Sequence, residues 1–363
     1  MLGKPLSFDA LPNWANDDHG AALRAFEKSA RRILKFGTRT RALNVDAEAL
    51  KNISTWLHHL DEGILGQEAR IFFEDHFVPR QVLADADDHS KRGFVTGYYE
   101  PEVPGSRTGN ERFKFPLLRR PDDLVELNDL PEGVSAPKDW DEEIRFARLS
   151  GNTVEHYLDR KAIEEGGLDG KNLELVFLED PIDAFFIHIQ GSARIRLTDD
   201  SIMRVSFDGK SGHDYTPIGR ELIKRGEIAR EEMSMQAIRH WLSDNRDQQY
   251  EIMWHNRSFI FFKEQEWIDP NDGPIGAAAV PLTPFRSLAV DRTLHTFGTP
   301  IYLNADLDIG FQKLMIAQDT GSAIVGPARG DIFFGSGDEA EQKAGIVQHP
   351  ADFYLLWPKS SSL

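Results

Sequence analysis

After Gly93 the chain interrupts its apolar pattern again and again with glycine and proline. Few folds tolerate that. The first interrupted run, Phe94-Val95-Thr96-Gly97-Tyr98-Tyr99, reads as a strand and is stopped by Pro101 and Pro104. Further short strands are expected at 173–178, 184–190, 193–197, 202–207 and 259–262, with one helical stretch over 218–241 between them. Beyond Gly273 the pattern returns, at 287–291, 300–303, 314–318, 323–325, 332–334 and 353–357. Many short strands joined by tight turns point to a compact barrel rather than to an alternating βαβ sheet.

The first quarter has a different period. Asp17 and Asp18 stand as candidate caps before Ala21, Leu23, Phe26, Ala30, Ile33 and Leu34, which recur at helical spacing. A second helix is expected after Asp46, on Leu50, Ile53, Trp56 and Leu57, and a third over 67–77, stopped near Pro79. A length of 363 residues suits two domains, or one with a large insertion.

Charge and composition narrow the chemistry. A formal charge of −17 argues against nucleic acid, whose phosphates need a basic surface, and against electrostatic docking on anionic lipid. Without cysteine there is no disulfide, thiolate nucleophile or Cys-ligated metal. No transmembrane segment is expected, because no run of about 18 apolar residues occurs. No apolar signal core is read between Met1 and Trp14. The histidines do not group at ligand spacing, so neither a metal nor another cofactor is implied. A phosphate loop and a Gly-x-Ser-x-Gly nucleophile elbow are both missing.

Three aspartates remain, each beside a short apolar run: Asp291, Asp319 and Asp331. Poor hydration favours the neutral form of a carboxyl, which is what a general acid for a glycosidic oxygen requires. Asp331 fits best, with Phe333 and Phe334 beside it. The bland alternative is that each aspartate caps a turn and accepts from backbone amides. Asp319-Thr320-Gly321-Ser322 also matches an aspartic-protease signature, but the second Asp-Thr-Gly that a proton-sharing pair needs is missing.

With those aspartates in view, the sequence resembles the membrane-bound lytic transglycosylase A family. Four blocks carry the likeness. The first is Phe94-Val95-Thr96-Gly97-Tyr98-Tyr99-Glu100-Pro101, and the second is Phe186-Ile187-His188-Ile189-Gln190-Gly191-Ser192-Ala193. The third runs from Tyr215-Thr216-Pro217-Ile218-Gly219 to Met233-Ser234-Met235-Gln236-Ala237-Ile238, and the fourth is the aspartate region up to Gly335. The resemblance implies a mainly β fold with N-terminal helices. A double-psi β-barrel domain would span 1–103 and 267–363. A smaller β domain would be inserted at 104–266, with a groove between the two for a glycan strand. It implies catalysis by Asp331 with support from Asp319. Substrate contacts are implied at Thr96, Gly97, Tyr98, Gln190, Gly191, Ser192 and Asp291. There are departures. The family is typically exported and lipid-anchored, whereas this chain shows neither signal nor lipidation cysteine, and Thr296-Phe297-Gly298 stands where the family commonly has Pro-x-Gly.

The implied reaction is lytic: the C6 hydroxyl of N-acetylmuramic acid attacks its own C1, giving a 1,6-anhydro ring with one aspartate as acid and then base. Attack within one ring has a proximity advantage over water. The implied partners are peptidoglycan strands and proteins of cell-wall synthesis or division. The implied location is the periplasm, at the outer membrane. Two alternatives stay open: a non-catalytic glycan binder, and an inverting glycosidase on the same fold.

Overall fold

The computed structural model describes residues 2–59, 66–85, 92–138, 140, 144–265, 269, 272–307 and 310–359. Two compact units are present, one formed by Met1–Tyr99 with Ile268–Leu363 and the other by Glu100–Trp267.

The strands of the first unit are β1 (Leu2–Pro5), β2 (Phe77–Val82), β3 (Gly93–Glu100), β4 (Ser287–Val290), β5 (Pro300–Ala305), β6 (Phe311–Asp319), β7 (Arg329–Ser336) and β8 (Gln348–Pro358). They pair in the order β1-β2-β8-β5-β6-β4-β7-β3, and β3 pairs again with β8. Six of them, β8-β5-β6-β4-β7-β3, therefore close into a ring with no free edge among them. Closure is possible because β8 is 11 residues long. Its first part pairs with β3 through Gln348↔Thr96, and its remainder pairs with β2 and β5. The interior is filled by alternate residues such as Leu288, Leu303, Ile332 and Phe353, all fully buried. Glycines let the walls approach there. A Cβ on Gly93 would lie 2.3 Å from the Ala328 carbonyl oxygen, and one on Gly330 would lie 3.0 Å from Leu288.

Helices α1 (His19–Phe36), α2 (Ala47–His58) and α3 (Gln67–His76) cover the ring from outside. Asp18 caps α1 by accepting from the Ala21 amide at 2.9 Å, while Asp17 instead forms a buried ion pair with Arg286 at 2.8 Å. Phe26 of α1 meets Phe72, Phe73 and Phe77 with ring centroids 5.9–6.1 Å apart. Gln318 of β6 is wholly buried against α1 and donates to Ala25 O and Ser29 Oγ, both at 2.8 Å.

In the second unit a six-stranded sheet runs Ile260–Glu264, Ile202–Lys210, Ser192–Arg196, Glu102–Ser106, Glu174–Leu178, Phe115–Leu118. Leu124–Glu126, Phe146–Ser150 and Thr153–Glu155 make a smaller sheet. The strand expected at 184–190 is a helix, Pro181–Gln190. A short apolar run does not distinguish a buried strand from a buried helix, and the ends decide. Asp180 accepts from the Ile182 amide at 2.8 Å, Pro181 occupies the first turn, and Gly191 stops the helix at φ 80°. The helix expected over 218–241 is two, Ile218–Arg225 and Met235–Asp244. They are divided by Gly226 at φ 76° and a new cap at Ser234. The strand expected at 323–325 is loop, with Val325 73% exposed.

Candidate active site

Strand register brings two of the aspartates to one face. Ala289, in the middle of β4, pairs with Asp319 of the parallel neighbour β6 and with Asp331 of the antiparallel neighbour β7. Residues in register point to the same side of a sheet, so the two carboxyls flank a small side chain, two strand spacings (about 10 Å) apart. A β-bulge makes this possible. Between Leu288 and Ala289 the partner β6 advances two residues, from Ala317 to Asp319. Gln318 can then bond Ser287 on the same face while Asp319 pairs with Ala289. Bulges re-aim side chains in this way.

Asp319 is held on both oxygens. Oδ1 accepts from the Ala277 amide at 2.9 Å, and Oδ2 accepts from the Tyr98 hydroxyl at 2.9 Å. Burial pushes its carboxyl up, and the negative charge of Asp331 adds to that, against the pull of those donors and of the Thr320 amide. The Tyr98 phenol is pushed well above its ordinary value by burial and then by the Asp319 charge, so it stays a donor. The Tyr98 ring packs on Phe333 at 5.3 Å.

Asp331 has different surroundings. Its Oδ1 accepts from Arg329 Nη1 at 2.6 Å and from the Thr96 hydroxyl. Arg329 also donates through Nη2 to Thr96 Oγ1 at 2.8 Å and through Nη1 to Gly330 O at 2.5 Å. Among the described residues Oδ2 of Asp331 receives no hydrogen bond, and the side chain is 19% exposed. One oxygen is anchored and the other is open to an incoming group. The aromatic neighbours are used elsewhere: Phe333 packs on Tyr98, and Phe334 packs on Phe285 at 5.1 Å. The apolar setting expected around Asp331 is thus a polar one.

The remaining candidates divide. Thr96 and Tyr98 share a face of β3 and reach the aspartates, whereas Gly97 lies on the other face. A Cβ on Gly97 would meet Ala344 and Phe334 at 2.9 Å, so its smallness serves packing. Gly191 ends a helix at φ 80°, and Ser192 is 7% exposed at the start of its strand. Both oxygens of Asp291 are engaged within the chain. Oδ1 accepts from the Thr293 amide at 2.9 Å and hydroxyl at 2.6 Å, and Oδ2 accepts from the Gly326 amide at 2.8 Å. This is the turn-capping alternative, and it ties down the 320–328 loop between the other two aspartates. Three participants were not singled out from sequence: Arg329, Ala277 and Ala289. Period-2 spacing to Asp331 was a signal for Arg329, but nothing local marks the other two. Among the described residues no group of three His, Asp or Glu side chains could hold a metal ion, and no described helix is long and apolar enough to cross a membrane.

Residues 94–263 match a family model described as the MltA specific insert domain, and residues 286–357 match one described as the 3D domain. The chain is 33% identical over 285 residues, 76% of its length, to membrane-bound lytic murein transglycosylase A of Escherichia coli K12, covering 68% of that protein. It belongs to the membrane-bound lytic transglycosylase A family. The crystal structure of the Agrobacterium tumefaciens membrane-bound lytic murein transglycosylase is 40% identical, with TM-score 0.89 over 99% of this chain and 98% of that one. MltA from Neisseria gonorrhoeae is 30% identical, with TM-score 0.79 over 99% and 93%. Escherichia coli MltA, solved with bound chitohexaose, is 28% identical, with TM-score 0.67 over 97% and 91%. This family member is an enzyme, a lytic transglycosylase, and all three aspartates fall inside its 3D-domain match.

Asp291 makes a stability prediction for this transglycosylase. Burial acts to raise its carboxyl, but the Gly326 amide and the Thr293 hydroxyl and amide outweigh it and hold the value below the ordinary 3.8. A lowered value stabilises the fold above the unfolded-state value, and that stability is lost as pH falls through the folded-state value. Asp291→Asn should therefore cost about 2 kcal/mol near neutrality. Melting curves of the two proteins should differ at pH 7 and converge well below pH 3.8. A difference that persists unchanged in acid would show that the charge is not what matters.

Proposed function

We propose that this transglycosylase cleaves the β-1,4 bond between N-acetylmuramic acid and N-acetylglucosamine in peptidoglycan and leaves 1,6-anhydro ends, with Asp331 as sole acid and base. What carries the reading is the contrast between the two carboxyls: Asp331 has one oxygen anchored and one open, while Asp319 has both engaged. Relatives named as murein transglycosylases, one of them holding a chitin oligosaccharide, support the substrate class.

In the first half, protonated Oδ2 of Asp331 donates to the glycosidic oxygen as the C1–O bond breaks, and N-acetylglucosamine leaves with a 4-hydroxyl. In the second, O6 attacks C1 of the same muramic residue and its proton returns to Asp331, so no water is consumed. One carboxyl suffices because the nucleophile is already within the substrate. Arg329 and Thr96 hold the direction of the carboxyl through Oδ1 in both halves. Asp319 and Tyr98 are positioning residues. Gln190 and Ser192, in the matched insert block, belong to the proposal as glycan contacts. The setting that goes with it is the periplasm at the outer membrane, alongside peptidoglycan strands and proteins of cell-wall synthesis or division.

Product analysis tests the reaction. Mass spectrometry of digested glycan should show fragments one water lighter than hydrolytic ones, formed equally with chelator present. Ordinary reducing ends would make the enzyme a hydrolase. Intact strands would remove cleavage from its function.

A further inference from the structure

A pocket in the first unit carries positive charge in a chain whose balance is strongly negative. It is lined by the last turns of α1, the 37–41 segment, Ala277, Ala278, Phe297 and Gly298. Arg32, Arg39 and Arg41 all contribute to it. Several arginines elsewhere in the unit are paired with acids, as Arg286 is with Asp17, Arg70 with Glu74 and Arg92 with Asp352, while Arg80 lies over the Trp357 ring. Among the described residues these three have no carboxylate partner, although the chain has 59 acidic residues to 42 basic ones. Arg32 Nη1 is buried and has no acceptor, an arrangement that costs stability unless a further oxygen arrives. The Arg32 guanidinium lies 4.2 Å from the ring centroid of Phe36, which is 63% exposed, so an apolar surface accompanies the charge.

The end of α1 gives a partial reason for cations, since a helix C-terminus favours them. Arg39 and Arg41 lie beyond the helix, and the dipole effect fades within its last turn. Three arginines lining one pocket, one with a buried unpartnered nitrogen, describe an anion receptor.

The pocket adjoins the catalytic face. Ala277 forms part of its wall, and the Ala277 amide is the one that holds Asp319. Asp331 lies two strands further on, about 10 Å away. The substrate proposed above carries, on its muramic lactyl group, a short peptide rich in carboxylates and alanyl methyls. Four or five extended residues span roughly 15 Å, enough to reach from the scissile sugar into the pocket.

We propose that Arg32, Arg39 and Arg41 form a subsite for the stem-peptide carboxylates of peptidoglycan, so that the enzyme binds peptide-bearing strands in preference to bare glycan. The inference rests on the murein reading. Its test uses the inactive Asp331→Asn protein, so that binding is read without turnover. Peptide-bearing strands, strands freed of peptide by an amidase, and inorganic phosphate are titrated separately. Peptide-bearing strands should bind about tenfold more tightly than bare ones, the scale of one or two charge-assisted contacts at a partly exposed site. Arg39→Gln with Arg41→Gln should reduce that ratio to about one. Both side chains lack partners among the described residues, so the pair should melt like its parent, and Arg32→Gln is the second variant. Competition by millimolar phosphate as strong as that by the free peptide would make the pocket a general anion site and overturn the assignment. So would an equal ratio in parent and variants. Wild-type enzyme that makes no anhydro product while the binding ratio persists would sink the proposed reaction and leave the subsite standing.

Discussion

Asp331→Asn should lower turnover at least ~10²-fold, the lower bound for losing a general acid–base group. The substitution keeps the shape of the side chain and removes its transferable proton. Asn Oδ1 can still accept from Arg329 and Thr96, so the anchoring side of the network survives. Melting temperature and affinity for intact strands should therefore stay close to wild type, and the loss should fall on kcat rather than KM. A variant that keeps more than about a tenth of wild-type turnover, well short of that loss, would move the proton transfer to another group, with Asp319 next in line.

Asp319→Asn should separate activity from stability in opposite directions. Burial raises the Asp319 carboxyl above its ordinary value of 3.8. The folded state then holds the proton more tightly than the unfolded state. The native protein loses stability as pH rises from the unfolded-state value through the folded-state one, and stays at that reduced level above it. Asparagine carries no such cost. Its oxygen can accept from the Ala277 amide, and its NH₂ can donate to the Tyr98 oxygen. At neutral pH the variant should melt no lower than wild type, and higher if burial dominates, with the difference closing below about pH 3.8. Turnover should nevertheless fall about tenfold, because the carboxylate's hold on Tyr98 and its charge near Asp331 are gone. A clearly lower melting temperature at pH 7 would contradict the burial argument. Losses as large as those of Asp331→Asn would mean that the two carboxyls act as one coupled pair.

Much of the fold was legible along the chain. The three N-terminal helices lie where apolar spacing and Asp18 or Asp46 placed them, and most short strands lie within a few residues of their expected limits. The exceptions have local causes. The 184–190 run is short and mostly apolar, so its period does not separate strand from helix, and the Asp180-Pro181 start and Gly191 stop decide for a helix. The 323–325 run is apolar too, but it lies in the loop that Asp291 holds through Gly326.

By itself the sequence determined a mainly β chain with helices first, excluded thiolate chemistry, and singled out three aspartates and the block from Thr96 to Tyr98. The fold class, the excluded thiolate chemistry and the aspartates rest on composition and on patterns read within a few residues, which a chain carries wherever it folds, and the Thr96 to Tyr98 block rests on the family resemblance. Only the tertiary structure decided where the oxygens of each aspartate go. Asp291 became a loop staple, Asp319 a half-buried and doubly held carboxyl, and Asp331 the one with an oxygen left open. That division depends on the ring closed by β3 and β8, on the bulge at Gln318 and Asp319, and on Ala289 lying between two carboxyls from strands adjacent to its own. Each is a contact between residues far apart in the chain. Hydration and hydrogen bonding of a carboxyl are set by such contacts, so no local pattern could have given these surroundings.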